Sequence, residues 1–159
     1  MVSGEMIEAI LIKNGSYLIP STEQDKAILK EFKTGQGLRI KLTKVRDREL
    51  WMHRKYFALL NYIFDCWEPE IEHKGLPVEK NFDRFRHDII IAAGFYSLVA
   101  NIKGEARAEA KSIAFHNMGQ DEFEKLFEAT IDVALKYILK NYSKEDVENV
   151  VNELVQFTI

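Results

Sequence analysis

Apolar and polar residues alternate along "EMIEAILIKNGSYLIP", residues 5–20, with Asn14-Gly15 in the middle. Period-two alternation around a dipeptide that tolerates positive φ predicts a β-hairpin. Ser21 follows as an N-cap with Gln24 as its reciprocal partner, which predicts a short helix ending before Gly35. "LRIKLTKV", Leu38 to Val45, returns to period two and is read as a third strand.

The period then changes. Leu50, Phe57, Leu60, Phe64 and Trp67 recur at helical spacing, so a long helix is expected from Asp47, as N-cap, to about Trp67, with this stripe in the core. "EPEIEHKGLPVEKN" breaks the pattern with two prolines and a glycine and reads as a loop over 68–80 inside the domain. Asn81 or Asp83 caps a helix running to Gly94. "FYSLVANI" and "RAEAKSIAF" read as two strands around Lys103-Gly104, and helices follow from Gln120 to Lys140 and from Ser143 to Gln156. The apolar stripe of the last helix closes the core or forms a dimer seam. The architecture expected is α+β: a mostly antiparallel sheet, a long central helix and C-terminal helices in one domain over 1–159.

Composition narrows the function classes. The chain has 159 residues, 47% of them hydrophobic and 30% charged, enough for a core that needs no disulfide or metal. A formal net charge of -3 excludes nucleic-acid binding by bulk charge and requires a local patch. The single cysteine, Cys66, has no internal partner, and the chain opens on no signal-peptide pattern, so a cytoplasmic location is expected. The longest apolar run, Ile89 to Ala100, is too short to cross a bilayer, and no membrane partner is expected.

One local patch stands out. Arg39, Lys41 and Lys44 lie on the expected third strand, and Arg46, Arg48, Arg54 and Lys55 crowd the start of the long helix. Arginine forks and free helix N-terminal amides suit phosphate, and Trp51, Tyr56 and Tyr62 are the candidates for stacking on unpaired bases. His53 sits on the apolar stripe and reads as a half-buried histidine with a hydrogen-bond partner. His73, His87 and His116 are scattered, with no metal-ligand spacing, so no metal or other cofactor is expected. Glu70, Glu72, Asp83 and Asp88 are the only carboxylates worth weighing for a magnesium-dependent nuclease, and carboxylates are too common for that to count for much. Phosphate-loop, dinucleotide and nucleophile-elbow patterns are absent from the sequence.

Two blocks carry a resemblance. "RDRELWMHRKYFALLNYIFDCWEP" and "AKSIAFHNMGQDEFEKLFEATIDVAL", with "AGFYSLV" between them, resemble a family of uncharacterised bacteriophage proteins and, more distantly, the lambdoid-phage NinB (Orf) recombination mediators. The NinB pattern Arg-x-Arg-x5-Arg-Lys, then an aromatic and Ala-x-Leu, falls on Arg46, Arg48, Arg54, Lys55, Phe57, Ala58 and Leu60. Its second block falls on Ser112, Met118, Glu122, Phe123 and Leu126. Met52 and His53 stand where that family commonly has Gln-Asn, a departure at the turn that would touch bases. The resemblance implies a homodimeric, non-catalytic phage protein that binds single-stranded DNA beside the host single-strand-binding protein or a recombinase. The alternative is a phage protein that modulates a host nuclease or defence complex through acidic surface at Glu68 to Glu72 or Glu145 to Glu153.

Overall fold

The computed structural model describes residues 7–114 and 117–157, apart from the side chains of Asp47, Arg48 and Phe157. Glu5 and Met6 of the expected first strand, Phe115 at the end of the last one, and His116 lie outside the described residues. Two compact units divide the chain, 1–57 and 58–159. The division falls inside the long helix and not in the loop at 68–80, which belongs wholly to the second unit.

In the first unit, β1 (Leu11–Asn14) and β2 (Tyr17–Pro20) pair antiparallel, with Asn14 opposite Tyr17. The turn residues are therefore Gly15 and Ser16, and of the two only Gly15 has positive φ, at 60°. That is the glycine-first pattern of a type II′ turn, not the two positive φ values that Asn14-Gly15 predicts. Helix α1 (Glu23–Lys30) starts one residue later than expected. Thr22, not Ser21, is its N-cap, and Asp25, not Gln24, closes the reciprocal capping box. Helix α2 (Asp47–Cys66) likewise has Asp47 as its first helical residue. Its cap is Arg46, whose carbonyl accepts from the Leu50 amide at 3.0 Å and whose amide donates to Glu49 Oε2 at 3.1 Å.

The expected third strand does not form. Leu38 to Val45 adopts no regular structure, and among the described residues no strand pairs with it. Alternation prepares a chain for a sheet, but a strand exists only where a neighbour fills its backbone hydrogen bonds.

In the second unit the expected loop contains a small hairpin, β3 (Glu72–His73) with β4 (Leu76–Pro77). Lys74 and Gly75 turn it with φ of 51° and 78°, the paired positive values of a type I′ turn. The loop is held to the end of α2 by Lys80, whose ammonium donates to the Phe64 carbonyl and lies 4.4 Å from the Phe64 ring centre. Helix α3 (Phe82–Ala92) is capped by Asn81, whose side chain accepts from the Arg84 amide at 2.8 Å.

Helix α3 ends in a Schellman motif: the Gly94 amide donates to Ile91 O and the Phe95 amide to Ile90 O. Gly94 has φ of 92°, and the site around it is open, so a side chain there would meet strain but no clash. Gly94→Ala should cost about 1 kcal/mol from backbone conformation alone, read as a lowered thermal midpoint. An unchanged midpoint would mean the helix end relaxes without penalty.

Beyond the motif, β5 (Tyr96–Ala100) and β6 (Ala106–Ala110) form the expected hairpin, and β6 packs on α3. Helix α4 (Gln120–Tyr137) packs against α3 and against α5 (Lys144–Phe157). Ser143 caps α5 as expected, exchanging bonds with Asp146, and those bonds hold the Asp146 carboxyl below its ordinary pKa. Phe123, Leu126, Phe127, Ile131 and Ala134 of α4, with Val147, Val151 and Val155 of α5, bury their side chains.

The α+β class, the antiparallel pairing, the long central helix and the C-terminal helices all hold. The strands, however, make separate two-stranded sheets instead of one. No helix among the described residues is long and apolar enough to cross a membrane.

Candidate functional site

Arg39, Lys41, Lys44 and Arg46 lie exposed on the irregular segment between α1 and α2. From Phe32 to Arg46 the chain carries no acidic residue, so Lys33 and these four cations share an uninterrupted positive stretch. Charges of one sign on an exposed segment attract an anion cooperatively and are screened by salt. Leu38, Ile40 and Leu42 alternate with them and are also exposed.

The helix start behaves differently. Arg54 is half-buried, and its Nε donates to Ser21 Oγ at 3.1 Å, while Ser21 is itself buried and donates its amide to Ile10 O at 2.9 Å. This arginine ties α2 to the end of the β1–β2 hairpin. Lys55 is half-buried and engaged as well. The third strand expected to join the helix start in one surface does not form, and Arg54 is engaged by Ser21. Arg48 falls in the first turn of α2, and its side chain lies outside the described residues.

The aromatic candidates separate too. Trp51 is 42% exposed and remains available for stacking, and Tyr62 is half-buried in the second unit. Tyr56 is fully buried and cannot stack on a base. The helix places Tyr56 beside Phe57 in its buried stripe, with ring centres 6.2 Å apart, whereas Leu50, Phe64 and Trp67 of the expected stripe are only half-buried. The buried face of α2 is Tyr56, Phe57, Leu59, Leu60 and Ile63.

A second cluster was not foreseen. Asp25 is 2% exposed, and its carboxylate accepts from the Ile10 amide at 2.9 Å, the Thr22 amide at 3.0 Å and the Thr22 hydroxyl at 2.7 Å. His53 is half-buried as its place on the helix suggests, and its Nε2 lies 3.7 Å from Asp25 Oδ2, an ion-pair separation longer than the hydrogen bond expected of it. Burial alone would raise the Asp25 pKa. The neighbouring His53 imidazole, the Ile10 amide and the Thr22 hydroxyl outweigh it and hold the carboxyl below its ordinary value. The cluster joins hairpin, α1 and α2 within the first unit. Thr22-x-x-Asp25 is the sequence signal that would have found it, as the threonine form of the capping box.

Among the described residues no group of three or more His, Cys, Asp or Glu side chains is placed to hold a metal. Glu70 and Glu72 are exposed, and on α3 Asp83 and Asp88 pair with Arg86 and Arg84.

The model of the family described as "Protein of unknown function (DUF1367)" matches residues 6–73 and 71–157. No curated protein and no solved structure matches the chain.

Proposed function

We propose that this chain, which belongs to that family of unknown function, binds single-stranded DNA as a phage-encoded recombination accessory protein and catalyses no reaction itself. The observation that carries the reading is the acid-free cationic stretch from Phe32 to Arg46, with Arg39, Lys41, Lys44 and Arg46 exposed in a chain whose net charge is -3. Such local concentration of cations against the net charge is what a phosphate backbone would use. The NinB-like order of Arg46, Arg48, Arg54, Lys55, Phe57, Ala58 and Leu60 supports the same reading. In it the protein acts as a homodimer in the host cytoplasm, beside the host single-strand-binding protein or a recombinase, and two modest patches add into one adequate site.

Fluorescence anisotropy with a labelled single-stranded oligonucleotide at several salt concentrations tests this. Four phosphate contacts per chain predict that log affinity falls with log salt at a slope of about -3. Binding that ignores salt, or none at low salt, would rule the reading out.

A further inference from the structure

Phosphate recognition needs cations only, yet the exposed segment before α2 also holds three large aliphatic side chains in water. Leu38, Ile40 and Leu42 are 47%, 61% and 74% exposed. Covering that much neighbouring apolar surface with a partner would be favourable. The cations interleaved with it, Arg39, Lys41, Lys44 and Arg46, favour an anionic partner.

An extended chain turns successive side chains to opposite sides and repeats a side about every 6.6 Å. Drawn out along a ligand in this way, Leu38, Ile40 and Leu42 would share one side, and Arg39 and Lys41 the other. A duplex offers a dense row of charges but hides the faces of its bases in the stack. An unpaired strand offers both, with a phosphate and an apolar base face at every nucleotide.

We infer that residues 38–46 hold single-stranded DNA by its bases as well as its phosphates. Leu38, Ile40 and Leu42 lie against base faces, while Arg39, Lys41, Lys44 and Arg46 neutralise the backbone. This rests on the reading above and adds to it the source of the preference for single strands. It also assigns the contact to aliphatic side chains in place of the buried Tyr56.

The test titrates the full chain at low salt with three labelled probes of equal length: a thymidine oligonucleotide, the same sugar–phosphate backbone without bases, and a duplex. The thymidine strand should bind about tenfold tighter than the abasic backbone, the order that burying a modest aliphatic area against base faces supplies. The variant carrying Leu38→Ser, Ile40→Ser and Leu42→Ser should lose that ratio and keep the abasic affinity. Because all three side chains are exposed, its circular dichroism should match the unmodified chain. Equal affinity of the unmodified chain for the thymidine and abasic probes would overturn the inference and leave phosphate binding standing. Failure to bind any probe would remove both. Displacement of the thymidine strand by polyglutamate at equal charge would overturn the inference by assigning the segment to an acidic protein partner.

Discussion

Asp25→Ala should destabilise the first unit by about 3 kcal/mol, the order expected when several donors lose a buried charged acceptor. The amides of Ile10 and Thr22 and the Thr22 hydroxyl all donate to this carboxylate, which is nearly inaccessible to water. Asp25→Asn keeps one acceptor oxygen but loses the charge that strengthens the bonds from Ile10 and Thr22, so it should cost about half as much. Urea unfolding followed by tryptophan fluorescence in a Trp67→Phe background reads the effect, because Trp51 is then the one tryptophan left and lies in the same unit.

The pH dependence has a definite sign. The folded-state pKa of Asp25 is lowered, so the unfolded chain binds the proton more readily. Its contribution is present above the unfolded value, about pH 4, and disappears as pH falls through the lower folded value. The gap in urea midpoint between Asp25→Asn and the unmodified chain should therefore be steady from pH 6 to 8 and narrow below about pH 4. A gap that stays constant into acid would show that ionised Asp25 contributes nothing special.

Replacing Arg39, Lys41 and Lys44 together by alanine should weaken single-strand binding by at least about tenfold at low salt. It should also flatten the salt slope by about 2, since each lost phosphate contact removes about 0.7. Stability should hardly change, because the three side chains are exposed and surface substitutions away from caps and core cost little. Arg54→Ala should do the opposite. Removing its Nε bond to the buried Ser21 hydroxyl should cost about 1 kcal/mol of stability and leave the slope nearly unchanged. Should Arg54→Ala instead flatten the slope as much as the triple variant while stability holds, the helix start and not the 38–46 segment would be the contact surface.

These outcomes separate two kinds of arginine that look alike in the sequence. Arg39 and Arg54 both stand in the cationic region, and the hydrogen bond that distinguishes them joins Arg54 to a residue far away along the chain. Nothing in the spacing around Arg54 announces Ser21. Tyr56 shows the same limit: it sits next to Phe57 at helical spacing, and the helix's rotation decides which of its apolar residues face inward.

Local signals carried the elements whose causes are local. The helices of the second unit, the Asn81 and Ser143 caps and the β5–β6 hairpin follow from periodicity and capping within a few residues, where backbone and side chain satisfy one another. An acid-free cationic stretch and an α+β complement of elements are likewise legible in the residues alone. Tertiary structure alone decided that Leu38 to Val45 pairs with no strand among the described residues, since a strand needs hydrogen-bond partners that its own residues cannot provide. It alone decided that Asp25, Ser21, His53 and Arg54 close the first unit, because those contacts join parts of the chain brought near one another only by folding.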